Sequence, residues 1–216
     1  MDGYNAAFRD KEVVSGFANS FIYAVVGTVL AIAVTVPAAY ALSRNDLRGK
    51  NIFIVYFMVT MYVSGGLIPT YLLIKNLRMM DTIWAIVVPG TLSVYNMIVA
   101  MSFFRATIPT ELLDAARIDG CSNTKFFIRI VVPLSGAIIA ILVLYYGVGL
   151  WNSYFSALIY LNTRSKWPLQ LILRNKLIIS AGQRESIKDL ELEDYSSLPL
   201  IQLLQEQTNV EVEWLI

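Results

Sequence analysis

The polar residues with the most informative spacing lie in one stretch, Ile108-Pro-Thr-Glu-Leu-Leu-Asp-Ala-Ala-Arg-Ile-Asp-Gly-Cys121. Thr110 is placed to cap a helix, and Glu111 falls in its first turn, where the macrodipole favours a carboxylate. Glu111 to Ile118 suits about two helical turns. Ala115 and Ala116 leave a face without bulk that permits close approach by a partner, and Asp119-Gly120 is a turn signal that stops the helix. A second helix is expected from near Ser122, presenting Phe126, Phe127, Ile130 and Val131 on one side. Pro133 then marks entry to an apolar segment. The chemistry on offer is docking and packing. The chain has no histidine and a single cysteine, Cys121, which excludes Ser-His and Cys-His catalysis, His-liganded metals and an internal disulfide. No Gly-rich phosphate loop ending in Gly-Lys-Ser/Thr is present.

The elements that must position this stretch are apolar. Only 15% of the 216 residues are charged, and mean hydropathy is +0.59; a soluble domain carries about a quarter charged residues. Four membrane spans are expected: Phe21–Leu42, Ile52–Ile74, Thr82–Phe104 and about Leu134–Leu161. Gly65-Gly66 and Pro69 interrupt the second, so its helix should end near Val63 with a kinked or re-entrant continuation; Pro89-Gly90 lies inside the third. Each is long enough for a hydrocarbon core about 30 Å thick. The fold class is therefore all-α membrane protein, with about four transmembrane helices and a helix-turn-helix in the loop between the third and fourth. A soluble bundle of unusually apolar helices is the alternative. One side of the membrane receives Arg44, Arg48, Lys50, Arg105, Arg117, Lys125 and Arg129, and the other Lys75, Arg78, Arg164 and Lys166, to which the N-terminal segment adds Arg9 and Lys11. The richer side should be cytoplasmic, leaving the N-terminus outside.

Trp167–Ser180 is apolar but carries Arg174 and Lys176, and reads as an interfacial helix. Residues 1–180 hold fifteen Lys/Arg against eight Asp/Glu, and residues 181–216 hold two against eight. This break suggests a membrane domain over 1–184 and an acidic non-membrane tail over 185–216. No basic cluster is dense enough for nucleic acid.

Glu111…Ala115-Ala116…Asp119-Gly120…Phe127…Ile130…Pro133 resembles the EAA loop of binding-protein-dependent ABC transporter permeases. Ala39-Tyr-Ala-Leu-Ser-Arg44, Gly65-Gly-Leu-Ile-Pro-Thr-Tyr71 and Trp151-Asn-Ser-Tyr-Phe155 are similar to stretches of the carbohydrate-import branch, nearest to permeases for oligosaccharides such as aldouronates. The resemblance implies that Glu111, Ala115, Ala116, Asp119, Gly120, Phe127 and Pro133 build a coupling helix docked on an ATPase subunit. It also implies a second permease subunit, an extracellular solute-binding protein, a carbohydrate substrate, a plasma-membrane location among lipid and no cofactor. Tyr62, Asn96, Tyr145, Trp151, Asn152 and Tyr154 are the candidate pathway residues, since sugars bind through amide hydrogen bonds and aromatic stacking. Each of these also fits a plainer role, as an interface anchor or an interhelical hydrogen bond.

Family members normally have six spans, so counterparts of the first and last are expected to be missing here. The tail around Tyr195–Trp214 resembles the start of an extracellular sugar-binding lipoprotein, as a truncation or gene fusion would produce. Gly27, Thr28, Ala31 and Thr35 should form a small-residue groove on the first span with no partner inside the chain. A secondary transporter or a non-catalytic polytopic membrane protein is the other reading; against a coupled transporter, and against a polytopic enzyme, the spans hold no Asp, Glu or Lys.

Overall fold

The computed structural model describes residues 10–179, and every regular element among them is helical. Helix α1, Lys11–Ser43, opens at Asp10, whose carboxylate accepts the Glu12 N–H at 2.9 Å. It starts well before Phe21 because its first turns are packed. Asn19 donates to the Ser165 and Trp167 carbonyls, Tyr23 to that of Lys166, and Ser20 accepts the Leu169 N–H. At about 1.5 Å per residue it reaches about 50 Å. It is the one described helix long and apolar enough to cross a membrane unaided.

The other candidate spans are bent pairs. Helices α2, Lys50–Tyr62, and α3, Leu67–Asn76, meet at 111° across Gly65-Gly66, with Gly66 at φ +86°. The break falls at the expected place. Helix α4, Ile83–Val87, runs through a 3-10 turn, Val88–Gly90, and turns 47° into α5, Val94–Thr107. Pro89 brings no N–H to continue the ladder. Helix α6 is Thr110–Ile118. Helix α7 begins as Asn123–Phe126, widens to a π turn over Phe127–Val131 and closes over Val132–Leu134. Pro133 has no N–H for the Arg129 carbonyl and its ring would clash there, which the wider turn relieves. At Ser135 the chain turns 79° into α8, Gly136–Trp151.

The fourth expected span is not continuous. Asn152 Nδ2 takes the Val148 carbonyl and Ser153 Oγ that of Leu150. These local bonds end α8 before α9, Tyr154–Tyr160. A 3-10 turn, Arg164–Lys166, follows, and residues 169–179 are helical. The chain divides at Leu173 into two units, and of the second only residues 173–179 are described. The expected boundary at 184 and the acidic tail lie outside the described residues.

The groove on α1 has a partner within the chain, contrary to expectation. Gly27, Thr28, Ala31 and Thr35 are all buried, and α8 packs against α1 there. A Cβ on Gly27 would stand 2.5 Å from Leu150 Cδ1, and one on Gly147 would stand 3.7 Å from Thr28 Oγ1. Thr35 Oγ1 lies 2.8 Å from the Tyr146 hydroxyl. Small residues on both helices allow this approach. Around it Ala39, Met97, Phe104, Phe126, Ile138 and Leu142 form the main core.

Charged groups collect at two ends. Arg44, Asp46, Arg117 and Asn123 meet at one, where Arg105 also reaches the Leu42 carbonyl. Asp81, Thr163 and Lys166, with the Glu12–Arg164 pair, meet elsewhere. These groupings follow the alternation expected of the loops.

Candidate functional site

Helix α6 sits on the surface as about two and a half amphipathic turns secured from both ends. Thr110 is not its cap. Pro109 holds that position at φ −64°, ψ 146°, and Thr110 is the first helical residue. Ile108, restricted to extended backbone by the proline after it, ends α5. At the other end Gly120 has φ +72°. Its N–H donates to the Arg117 carbonyl at 3.0 Å, and the Cys121 N–H to that of Ala116 at 2.8 Å. This pair of bonds is a Schellman motif, with Asp119 as the C-cap.

The two alanines face different ways. Ala116 is buried against the core, whereas Ala115 is exposed with Glu111, Asp119 and Gly120. Glu111, Ala115 and Ile118, at i, i+4 and i+7, line the outward stripe, and Ile118 is 87% exposed. Phe126 is fully buried, and Phe127 stacks on Tyr40 with ring centroids 5.2 Å apart. Ser122 caps α7 through Lys125 N–H, as the expected start of the second helix requires. Pro133 is exposed and shapes the π turn.

An ionic clasp ties this loop to the end of α1. Asp46 accepts from Arg44 Nε at 2.7 Å and from Arg117 Nη2 at 2.6 Å, while Arg44 Nη1 donates to Asn123 Oδ1 at 3.1 Å. The Arg44 hydrogen bond, followed by that of Arg117, holds the Asp46 carboxyl below the usual range. Between α6 and the ends of α1 and α5 lies a cavity of about 540 Å³, lined by Tyr40, Arg44, Arg105, Glu111, Arg117 and Phe126. The sequence presents Arg44 only as a loop charge and gives Asp46 no role. Nothing local signals that Asp46 meets a residue 71 positions away.

Of the six candidate pathway residues, two come together. Asn96 and Tyr145 line a cavity of about 420 Å³ between the α4–α5 break and the end of α8. Ser93, Tyr146, Gly149 and Ser156 line it too. The Tyr146 hydroxyl is fixed by Thr35 and by the Ser93 N–H at 3.1 Å. The other four do not line this cavity. Tyr62 is 83% exposed at the end of α2. Trp151 packs edge-on to Phe17, Asn152 bonds its own helix, and Tyr154 lies against Phe155. No cluster of His, Cys, Asp or Glu suited to a metal occurs among the described residues.

No model of a known protein family matches the chain. It is 39% identical over 180 residues to Protein LplC of Bacillus subtilis, covering 83% of this chain and 61% of that protein. It is 36% identical over 190 residues to the polygalacturonan/rhamnogalacturonan transport system permease protein YtcP of the same organism, covering 88% and 66%. A solved bacterial ABC transporter for import of the acidic polysaccharide alginate superposes with a TM-score of 0.77 at 30% identity, covering 80% of this chain and 61% of that one. The chain thus spans about three fifths to two thirds of the length of these relatives. Helix order, the surface helix between α5 and α7, and these likenesses agree: the chain belongs to the permease family of ABC transporters, in the branch that holds these carbohydrate permeases.

Proposed function

We propose that this chain is a transmembrane permease subunit of an ABC importer for carbohydrates, seated in the bacterial plasma membrane and crossing it about four times. Its partners are an ATPase subunit, a second permease subunit and an extracellular solute-binding protein. The outward stripe of α6 is the observation that carries this reading. Glu111, Ala115 and Ile118 share one exposed face of a short helix whose opposite face is anchored by Ala116. An isoleucine 87% exposed at the tip of a polar helix suits insertion into a partner's cleft. Gly120 and Asp119 fix the angle at which the stripe is presented, and Phe127 and Pro133 fix the next helix. Arg44, Asp46 and Arg117 join the stripe to α1, so a push on α6 is delivered to the longest helix of the bundle. The end carrying Arg44, Arg105 and Arg117 faces the cytoplasm on this reading.

Sugar passage uses the wall on which Asn96 and Tyr145 meet, supported by the carbohydrate permeases among the relatives. Tyr62, Trp151, Asn152 and Tyr154 serve it only where a partner subunit completes the path. The test is co-purification of the full chain with an ABC ATPase subunit co-expressed from the same organism. Ile118→Asp and Ala115→Asp should reduce recovery of the ATPase about tenfold or more while the chain still inserts. Unchanged recovery for both variants would remove α6 as the docking element.

A further inference from the structure

Two helix breaks bound the cavity between α5 and α8. The α4–α5 break contributes Pro89, Gly90 and Ser93, and the α8–α9 break contributes Ser153. Irregular backbone at membrane depth is tolerated where it lines a polar cavity or is covered by protein. Asn96 lies in the first turn of α5 and is only 7% exposed. Its backbone N–H is met by Ser93 Oγ at 3.4 Å, but among the described residues its carboxamide has no hydrogen-bond partner. Among the described residues only the Thr28 hydroxyl and the Trp167 indole N–H are fully enclosed without a partner, so the Asn96 carboxamide reaches the open volume of the cavity and can meet a group there. Tyr145 and Ser156 also line the cavity, and neither hydroxyl has a hydrogen-bond partner among the described residues. Tyr146, in contrast, is locked by Thr35 and Ser93.

The wall combines an amide, hydroxyls, phenol rings and apolar surface from Ile86 and Leu150, and none of its lining residues is charged. A Cβ on Gly149 or Gly90 would meet nothing within 4 Å, so both glycines leave volume open. A cavity of about 420 Å³ falls in the range of small-molecule sites. A carboxylate or ammonium here would be desolvated with no counter-charge from this wall.

We infer that Asn96, Tyr145 and Ser156 form a binding station for an uncharged sugar ring, with the Asn96 carboxamide bonding a pair of its hydroxyls. The inference rests on the transport reading for its place on the sugar's path, and it narrows that path to neutral sugar units on this subunit's side.

The full chain in nanodiscs is titrated calorimetrically with xylotriose, arabinotriose and trigalacturonate. Binding of a neutral trisaccharide is expected, weakened about tenfold by Asn96→Ala and abolished by Gly149→Leu, which fills the open volume. Melting temperature checks that each variant is folded; Gly149→Leu carries the test if Asn96→Ala is not. Binding of trigalacturonate alone, binding of no probe, or neutral binding indifferent to a folded variant would each overturn the site. Because the ATPase subunit is absent from this measurement, a failure here leaves the α6 docking result standing, and a failure of docking leaves this result standing.

Discussion

Arg117 on α6 and Arg44 at the end of α1 share one carboxylate, that of Asp46, with Arg117 Nη2 2.6 Å from Oδ2. Asp46 is partly exposed, so each bond is worth less than about 1 kcal/mol by itself. Its consequence is geometric, because α6 and α1 touch few other common groups. Asp46→Ala should lower the melting temperature slightly but sharply reduce substrate stimulation of ATP hydrolysis in the assembled transporter. Its folded pKa is depressed, so its stabilisation is complete above the unfolded value of about 4 and is lost as pH falls below it. Coupling should be flat from pH 5 to 8 in both proteins. Wild-type stimulation after Asp46→Ala would dismiss the clasp.

Gly120 isolates backbone strain from packing. Its φ is +72°, yet a Cβ would meet nothing within 4 Å. Non-glycine residues pay about 1–2 kcal/mol in this region, Asn least. Gly120→Asn should retain most ATPase stimulation, Gly120→Ala less, and Gly120→Val least, with membrane insertion equal throughout. Equal stimulation in all three would show that the turn does not set the angle of α6.

The loop from 108 to 133 was readable from sequence because its signals are local. Gly120 demands a left-handed turn, Ser122 caps, and Pro133 disrupts the ladder. Thr110 takes the first helical position and not the cap because Pro109 itself supplies the extended residue before the helix. The clasp was unreadable, since Asp46 and Arg117 meet only through tertiary packing. Asn96 and Tyr145 stood out as polar groups in apolar segments, but residue type alone could not say which faces converge. Tyr62 and Trp151 satisfied the same rule and point elsewhere. The groove on α1 was visible, whereas Gly147, whose missing side chain lets α8 approach Thr28, reads as an ordinary span glycine.

The α1–α8 contact makes a prediction in two substitutions. A Cβ at Gly27 would stand 2.5 Å from Leu150 Cδ1, the end of a flexible side chain. Gly27→Val should destabilise by about 1–3 kcal/mol through overpacking. Leu150→Ala should recover part of that loss, giving a favourable interaction energy in the double-mutant cycle. Strict additivity in thermal melts would mean the two side chains do not meet.

Topology is checked by single cysteines in a Cys121→Ser background. Lys125→Cys should react with impermeant thiol reagents only in inverted vesicles, and Arg164→Cys in intact cells. The reverse pattern would put α6 outside, where no ATPase could reach it.

Asp81 closes the connection between α3 and α4 onto the segment after α9. Its backbone is left-handed, φ +58°, a conformation that Asp tolerates better than most residues. Oδ1 accepts the Asn162 and Thr163 N–H groups at 3.1 and 3.0 Å; Oδ2 accepts the Thr163 hydroxyl and Lys166 Nζ, each at 2.7 Å. The Lys166 bond, then those of Thr163, hold its carboxyl below the usual range. The stabilisation is therefore present above about pH 4 and fades as pH falls further. Asp81→Asn keeps an acceptor for the backbone N–H groups and tolerates the same φ, so it should lose only the Lys166 pair. Asp81→Ala loses every side-chain bond and places an unsupported Cβ at positive φ, adding about 1–2 kcal/mol. Melting in detergent at pH 7 should rank wild type above Asn and Asn well above Ala, with the gap between wild type and Asn narrowing below pH 4. If Ala and Asn melt together, the backbone acceptor role of Asp81 is not what holds these two connections.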